Sequence, residues 1–183
     1  MIKLIALVPL FPLIGFLING FWGKKMSKGL SGGIACVSVL ASFIISILAF
    51  VELHGSANKS HVINLFTWIS ADTLNIPFEF LYDPLSSLFL LIITGIGFLI
   101  HVYSTGYMHD DAGFSRFFTY LNLFVFFMLL LVMGNNYLIM FVGWEGVGLC
   151  SYLLIGFWFK NQAYNDAARK AFVMNRIGDL GFL

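Results

Sequence analysis

Long apolar runs, separated by short polar stretches, recur along almost the whole chain. A run of about 20 apolar residues crosses roughly 30 Å of hydrocarbon when it is α-helical. In lipid only helices and closed barrels satisfy every backbone hydrogen bond, and uninterrupted runs of this length are typical of helices. The pattern predicts five complete spans at residues 4–22, 30–51, 85–104, 114–133 and 137–159. A sixth span begins near Asn165 and still continues at Leu183.

Polar residues mark the ends of several spans. Asp83 followed by Pro84 combines a capping carboxylate with a first-turn proline, which predicts the start of the third helix. A tight polar turn at residues 134–136 joins the fourth and fifth spans as an antiparallel hairpin. Asn165 and Asp166 are the expected caps of the sixth helix.

The segment at residues 52–82 is the one long connection between spans. Apolar and polar residues alternate at 75–80 and in part of 63–68, which is typical of β-strands. We predict a short hairpin outside the membrane, in which Pro77 limits its strand to an edge. The predicted fold is an all-α polytopic transmembrane bundle with two helices at 1–51, this external hairpin at 52–82, and further helices at 83–183.

Composition supports the membrane interpretation. Hydrophobic residues make up 60% of the chain and charged residues 10%, whereas soluble domains carry about 25% charged residues. The net charge of +1 and the lack of a dense basic run give no reason to expect a nucleic-acid partner. Cys36 and Cys150 lie in apolar runs without CxxC spacing, so we expect buried apolar side chains and no metal site.

Lysine and arginine are distributed unequally between the two sides of the predicted membrane. Inner loops of membrane proteins carry an excess of these residues. Two lysines, Lys3 and Lys59, fall on the side of the N-terminus, which we therefore place outside. The opposite, inner side receives seven: Lys24, Lys25, Lys28, Arg116, Lys160, Arg169 and Lys170.

Glu145 is the candidate for chemistry inside the membrane. It lies eight residues into the fifth span, about 12 Å from the outer end of that helix. An ionised carboxylate at this depth costs at least about 3 kcal/mol, so the group faces a cation, faces water, or holds a proton. Each state suits a proton carrier, and the flanking Gly143, Gly146 and Gly148 let a helix or water approach. A glutamate that is only hydrogen-bonded to a neighbouring helix is the structural alternative.

Other polar residues accompany Glu145. Asn175, Arg176 and Asp179 in the sixth span can share one helix face. An Arg176–Asp179 pair would either neutralise itself as a structural device or tune and relay charge, and the sequence leaves both open. Tyr152 lies two helical turns from Glu145 on the same face and could continue a polar path.

Motifs for redox chemistry and nucleotide hydrolysis are absent from the sequence. There is no CxxCH, no Walker loop, no GxGxxG and no histidine pair spaced for haem. We therefore expect no cofactor and no redox centre in this chain, and we expect a partner protein to supply the energy for any pumping. His101 and His109 fall near the inner boundary, where histidines are mostly solvated or hydrogen-bonded.

Five blocks of sequence are characteristic in their order and spacing. The most specific is GWEGVGLCSYLLIGFW at 143–158, which contains Glu145. The others are DPLS at 83–86, YSTGYM at 103–108, RFFTYLNLF at 116–124 and KAFVMNRIGD at 170–179. Together they resemble the antiporter-like subunit family of NADH–quinone oxidoreductase (respiratory complex I), known as subunit L in bacteria and as NADH dehydrogenase subunit five in mitochondria.

The resemblance implies a protein about three times this length, built from inverted five-helix repeats. It also implies that residues 83–183 form the first part of the proton-translocating domain. It implies that Glu145 pairs with a lysine beyond Leu183 and that Arg176 and Asp179 support this pair. It also implies a neighbouring antiporter-like subunit, and partner subunits that hold NADH, FMN, iron–sulfur clusters and quinone. The expected location is the bilayer of a bacterial inner membrane, which is favoured over the mitochondrial inner membrane.

The leading hypothesis is a proton-translocating subunit of this oxidoreductase, in which electron transfer from NADH to quinone elsewhere biases Glu145 between its partners. The large subunit of a multisubunit Na⁺/H⁺ antiporter is an alternative that shares the motifs. An alternative from another class is a non-transporting membrane scaffold, in which Glu145 is merely hydrogen-bonded.

Overall fold

A computed structural model describes residues 2–72 and 74–182. Two predicted features lie outside the described part. They are the side chain of Lys3, which is counted for the outer side, and Leu183, at which the predicted sixth span still continues. The predicted all-α bundle with a two-stranded hairpin is confirmed. The described helices are α1 (Leu10–Trp22), α2 (Lys28–Gly55), α3 (Pro84–Tyr107), α4 (Phe114–Met133), α5 (Tyr137–Ile155) and α6 (Gln162–Asp179), and the strands are β1 (His61–Ala71) and β2 (Leu74–Tyr82).

The first predicted span is not one continuous α-helix. It begins as a 3-10 helix at Ile2–Leu7, and α1 starts only after Pro9. Proline lacks the N–H that would bond to the carbonyl four residues earlier, so Pro12 cannot bond to the oxygen of Val8. Ser42 Oγ on α2 donates to that oxygen at 2.7 Å instead. The break is therefore compensated by a hydrogen bond between helices.

The start of α3 and both ends of α4 agree with the bounds predicted from the sequence. The carboxylate of Asp83 accepts from Ser86 N at 2.7 Å, Ser86 Oγ accepts from Asp83 N at 2.8 Å, and Pro84 occupies the first turn. This capping box confirms the predicted start of α3. The bounds of α4 are those predicted, and the turn at residues 134–136 leads directly into α5.

The junction between α5 and α6 differs from the prediction. α5 ends at Ile155, four residues before the expected end. α6 begins at Gln162, where Asn161 Oδ1 accepts from Ala163 N at 3.0 Å. The expected caps at Asn165 and Asp166 are therefore wrong. The Asn165 side chain instead donates to the carbonyl of Phe159 at 2.7 Å, which ties the first turn of α6 to the preceding loop.

Five helices in the described part are long and apolar enough to cross a membrane, the first extending over Leu4–Lys25. α6 is not among them, because it carries several charged residues in 18 positions. Arg169 and Lys170, which were counted for the inner side, lie within this helix. The sixth apolar span that was predicted is therefore a polar helix over its described length.

α4 is the central helix of the bundle. It packs against α1, α2, α3 and α5, whereas α6 packs against α5. Val125, Leu129 and Met133 of α4 form the apolar core with Val39 of α2 and Leu90 of α3. Buried hydrogen bonds also join the helices: Ser38 Oγ donates to Asn122 Oδ1 at 3.0 Å, and Ser31 Oγ donates to Asn19 Oδ1 at 2.8 Å.

The hairpin lies over the turn between α4 and α5. β1 and β2 are antiparallel, with two register shifts, and they are longer than the alternating pattern alone predicts. Asn135 Nδ2 donates to Glu79 Oε1 at 2.6 Å, and Asn136 Nδ2 donates to the carbonyl of Pro77 at 2.9 Å. Asn136 also caps α5 by accepting from Ile139 N. The hairpin therefore fixes the end of the helix that carries Glu145.

Candidate functional site

α5 has two distinct faces. Ile139, Gly143, Gly146 and Cys150 are its buried residues, spaced three to four positions apart, and they face α4. The two glycines bring the helix backbones into close contact. Glu145 lies two residues after Gly143, which is about 200° around the helix. Its side chain therefore points away from α4 and toward α6.

Arg176 of α6 is the partner of Glu145. Its Nη1 donates a hydrogen bond to Glu145 Oε1, and the two side chains form an ion pair. The Glu145 side chain is 20% exposed and that of Arg176 is 53% exposed. Counted along α5, Glu145 is about 12 Å from the N-terminal end of the helix and about 15 Å from its C-terminal end. An ion pair thus lies midway along an apolar helix.

Asp179 has a different partner from the one considered from the sequence. The residue is 6% exposed, and its carboxylate accepts from Trp144 Nε1 at 2.8 Å. Arg176 bonds across to α5, so the two residues do not act as a local pair within α6. Each acidic group therefore has its own donor, and both donors connect α5 with α6.

A cavity of about 440 Å³ surrounds these groups. Met128 and Leu131 of α4 contribute apolar parts of its wall. The cavity is larger than a single water molecule, and polar side chains line part of its wall. The polar side chains on the wall belong to Trp144, Glu145, Ser151, Asn175, Arg176 and Asp179.

Tyr152 does not line this cavity. It lies in a separate cleft with Arg116, Tyr120 and Asn165, and its ring packs against Phe172 at a centroid distance of 5.5 Å. The structure therefore brings Glu145, Arg176 and Asp179 together but leaves Tyr152 on the other side of an aromatic contact. The proposed continuation of the polar path to Tyr152 stays a prediction.

Sequence reasoning did not identify Trp144, Ser151 and Phe172 as parts of the site. For Trp144 a signal exists, because a tryptophan next to an intramembrane acid needs an acceptor for its indole N–H. Ser151 is six residues from Glu145, a spacing that places it only obliquely to the carboxylate on the helix. Phe172 is one of 21 phenylalanines, and nothing in the sequence separates it from the others.

The histidines lie elsewhere. His101 is fully buried inside the bundle, and its Nδ1 is 2.7 Å from the carbonyl of Gly97. His109 is exposed and lies beside Asp110. Within residues 2–72 and 74–182, no group of three or more His, Cys, Asp or Glu side chains is placed to hold a metal ion.

One end of the bundle collects the basic loops. Lys28 Nζ donates to the carbonyl of His109 at 2.7 Å, and Ser115 Oγ donates to the carbonyl of Gly23 at 2.8 Å. Arg116 Nη2 donates to the carbonyl of Phe157 at 3.3 Å. These bonds join the ends of α1, α3 and α5 to the starts of α2 and α4. We refer to this as the basic end.

Two family models match the sequence. Residues 68–118 match the model described as NADH-Ubiquinone oxidoreductase (complex I), chain 5 N-terminus. Residues 134–183 match the model described as NADH:quinone oxidoreductase/Mrp antiporter, TM. The two matches cover the last residues of β1, all of β2 and α3, the start of α4, and all of α5 and α6.

Curated relatives extend the similarity to nearly the whole chain. NADH-ubiquinone oxidoreductase chain 5 of Hypocrea jecorina is 45% identical over 170 residues, which is 93% of this chain and 24% of the relative. NADH-quinone oxidoreductase subunit L of Neisseria meningitidis is 41% identical over 184 residues, which is 98% of this chain and 27% of the relative. The chain thus spans about a quarter of the length of these relatives.

A solved structure shares the fold. A chain in the structure of the membrane-bound sulfane sulfur reductase, an archaeal respiratory membrane complex, aligns with a TM-score of 0.78 at 19% identity. The alignment covers 96% of this chain and 34% of that one.

Proposed function

Because the chain belongs to the family of NADH:quinone oxidoreductase and Mrp antiporter membrane subunits, we propose that it forms part of a proton-translocating subunit of an NADH:quinone oxidoreductase. In this proposal Glu145 is the proton carrier. The observation that carries it is the Glu145–Arg176 ion pair, midway along α5 and beside a cavity that is lined in part by polar side chains.

The ion pair provides a mechanism for taking up and releasing a proton. While Arg176 lies against Glu145, the opposite charge stabilises the carboxylate. If Arg176 withdraws, an ionised carboxylate in the hydrocarbon region becomes costly, and Glu145 takes a proton from water in the cavity. When a cation returns, the proton leaves to water again. Arg176 remains charged throughout, so one proton is moved in each cycle.

The Trp144–Asp179 bond makes Arg176 the movable partner. Asp179 is nearly buried and held by an indole, whereas the Arg176 side chain is half exposed. Because Asp179 already has a donor, it competes weakly for Arg176. We infer that a lysine beyond residue 183, which the family pattern implies, offers Glu145 a second cationic partner.

The energy for moving Arg176 comes, in this proposal, from electron transfer in other subunits. Those subunits carry NADH, FMN, iron–sulfur clusters and quinone, and a neighbouring antiporter-like subunit transmits the change. We place the basic end on the inner side and the N-terminus outside, supported by the position of the basic loops. The membrane we propose is a bacterial inner membrane, with the mitochondrial inner membrane as the second candidate, and the relatives from Neisseria and Hypocrea fit both.

Replacement of Glu145 by glutamine in the full complex tests this function. Glutamine keeps the size and a hydrogen-bond acceptor for Arg176 but cannot bind and release a proton. We expect assembly of the membrane arm to persist while the number of protons pumped per NADH falls. Glu79→Gln is the matched control, because Glu79 lies on β2 and the glutamine oxygen can still accept the hydrogen bond from Asn135 that holds the start of α5. This replacement should leave pumping unchanged.

Other outcomes identify the alternatives. Unchanged pumping in Glu145→Gln would overturn the proton-carrier role and favour a non-transporting scaffold. The family description also names Mrp antiporters, so a Na⁺/H⁺ antiporter subunit is the second candidate. Under that alternative, the wild-type protein exchanges Na⁺ for H⁺ without NADH, and Glu145→Gln loses this exchange.

A further inference from the structure

A groove runs between the first two helices, and we call it the α1–α2 groove. It has a volume of about 490 Å³ and is lined by residues of α1 and α2. Apart from Ser38, whose hydroxyl donates to the Asn122 side chain on α4, the lining residues are apolar. The larger side chains along the groove are exposed: Ile14 of α1, and Leu30 and Val37 of α2.

Glycines form the floor of the α1–α2 groove. A Cβ at Gly15 of α1 would lie 2.6 Å from Ser38 Oγ, so the missing side chain lets the two helices approach closely at this point. A Cβ at Gly29 or at Gly33 of α2 would meet no atom within 4 Å. These two glycines are four positions apart and therefore lie on the same face of α2. The groove is thus space that larger side chains would otherwise fill.

The α1–α2 groove is about as long as one leaflet of a bilayer is deep. Its lining extends on α2 from Gly29 to Ala41, which corresponds to about 18 Å along the helix axis. Half of a hydrocarbon core of roughly 30 Å is about 15 Å. A transmembrane helix of a partner protein would continue beyond Ala41 across the other leaflet, whereas an acyl chain ends near the midplane. The length therefore favours an acyl chain as the occupant.

Interfacial side chains mark the end of the groove that lies at Gly29. Phe21 and Trp22 are exposed in the last turn of α1, with their ring centroids 5.8 Å apart. Exposed tryptophans of membrane proteins concentrate at the level of the lipid headgroups. Trp22 therefore indicates that the groove reaches headgroup level at the basic end of the bundle.

Two lysines provide positive charge at this level. Lys24 and Lys25 are exposed in the 3-10 turn Gly23–Lys25. Among the described residues, neither side chain has an ion-pair or hydrogen-bond partner, whereas Lys28 donates to the carbonyl of His109. Basic residues at this depth attract anionic lipids, and basic pockets beside transmembrane helices bind their headgroups. The charge at the end of the groove thus complements a phosphate.

From the apolar lining, the length and the two lysines, we propose that the α1–α2 groove binds one anionic phospholipid from the leaflet at the basic end. One acyl chain lies over Gly29 and Gly33 and reaches toward Phe11, and Lys24 and Lys25 bind the headgroup phosphate. The bound chain fills the space between α1 and α2 and so stabilises their packing. This binding is independent of the role of Glu145.

The lipids that merely surround the bundle provide the reference for a bound lipid. Leu99 and Val102 of α3 are exposed apolar side chains. They lie toward the end of α3 that is joined to the basic end, so they sample the same leaflet as the groove. A lipid bound through its charge should be enriched in the groove relative to this surface.

Photocrosslinking of the full complex tests the proposal. The complex is reconstituted into phosphatidylcholine vesicles that contain a trace of phosphatidylglycerol with a diazirine in one acyl chain, or a trace of phosphatidylcholine with the same group. Labelled peptides are then identified by mass spectrometry. We expect residues 11–15 and 29–41, relative to residues 99–102, to be labelled about tenfold more by the phosphatidylglycerol probe, a ratio that corresponds to about 1.4 kcal/mol.

Gly33→Leu removes the space for the acyl chain. The new side chain has room, because no atom lies within 4 Å of a Cβ at this position, so it should fill the groove without displacing the helices. We expect the excess labelling of the groove to fall to the level of the α3 surface. Gly106→Leu is the matched control, since a Cβ at this exposed glycine of α3 also meets no atom within 4 Å. It should leave the excess unchanged.

Replacement of the two lysines tests the headgroup contact. Lys24→Gln combined with Lys25→Gln should make the two probes label the groove equally, because the preference for a negative headgroup is lost. Lys160→Gln combined with Lys170→Gln removes the same amount of charge elsewhere in the described part of the chain and should keep the tenfold preference. If Gly33→Leu does not assemble, this pair of variants decides.

Three results would overturn the proposal. Equal labelling of the wild-type groove by both probes would show that only surrounding lipids contact it. A preference that persists in the Lys24 and Lys25 variant would exclude the phosphate contact. Labelling of residues 99–102 without any labelling of the groove by either probe would show that another subunit or another segment of the protein covers it.

Discussion

Replacement of Gly143 by alanine places a methyl group against the main chain of α4. A Cβ atom at this position would lie 2.5 Å from Leu131 N and 2.6 Å from Leu131 Cα, whereas ordinary contacts begin at 3.4 Å. Main-chain atoms in the middle of a packed helix cannot turn aside as a flexible side chain can. We therefore expect α4 and α5 to separate by about 0.9 Å at this point.

The magnitude follows from two opposing effects. Overpacking of a well-packed interface costs about 1–3 kcal/mol, and alanine regains up to about 1 kcal/mol of helix propensity relative to glycine. We expect a net loss of about 1–2 kcal/mol in the free energy of unfolding. For a domain of this size, the midpoint of thermal unfolding then falls by about 2–8 °C. Heating the detergent-solubilised complex and following the intact fraction by size-exclusion chromatography measures this change.

Gly148→Ala is the matched control for Gly143→Ala. A Cβ at Gly148 would have only Asn175 Nδ2 near it, at 3.8 Å, which is an ordinary contact. This variant should keep the thermal midpoint of the wild type or raise it slightly. The two glycines flank Glu145 on opposite faces of α5, so a difference between the variants reports helix packing. Equal midpoints would refute the close packing of α5 on α4.

Two further predictions concern the tryptophans that bond to acidic groups. Trp144→Phe removes the donor to the buried Asp179 carboxylate and should lower the stability of the α5–α6 packing by about 1–3 kcal/mol. We expect faster amide hydrogen exchange in α6 but not in α2. Unchanged exchange in α6 would contradict this prediction. Trp158 donates to Asp111, and this bond is the largest cause that holds the Asp111 pKa below its ordinary value of 3.8. A carboxylate whose pKa is lowered by folding stabilises the fold at pH values above its pKa in the unfolded chain, and this contribution is lost as the pH falls through the pKa in the folded protein. The difference in thermal unfolding midpoint between wild type and Trp158→Phe should therefore be constant from about pH 8 to about pH 5 and shrink below about pH 4. A difference that grows on acidification would refute this.

Features that depend on neighbouring residues were predictable from the sequence. The bounds of α4 follow from an apolar run between two polar turns, and the start of α3 follows from Asp83 and Pro84. A hairpin was predicted from alternation, but its length was not, because long-range pairing with two register shifts extends the strands beyond the alternating segment. Bonds from Asn135 and Asn136 to the hairpin are equally invisible in a local pattern.

The start of α6 illustrates a local signal with two solutions. Asn161 and Asn165 are both suitable caps, and sequence reasoning chose the later one. The structure starts the helix at Gln162, after Asn161, which leaves the Asn165 carboxamide free to bond to the carbonyl of Phe159. Both asparagines are satisfied in this arrangement. The choice between them depends on the loop geometry, which the sequence pattern does not encode.

The partners of Arg176 and Asp179 could not be derived from spacing for an energetic reason. A charge pair three residues apart on a helix stabilises it by about 0.2–0.5 kcal/mol, whereas a hydrogen bond to a charged group contributes about 1.5–3 kcal/mol. Bonds to Glu145 and Trp144 on α5 therefore outweigh the local pair. Only the packing of α6 against α5 makes these bonds available.

The division of partners also determines which charge near Glu145 can move. If Asp179 lacked its indole donor, Arg176 would lie between two carboxylates, and its withdrawal from Glu145 would only transfer it to the next acid. With Asp179 held by Trp144, the withdrawal of Arg176 changes the charge balance at Glu145 alone. The guanidinium is also the group that lies against Phe172. In the proposed mechanism, the half-exposed side chain of Arg176 therefore determines the charge balance at Glu145.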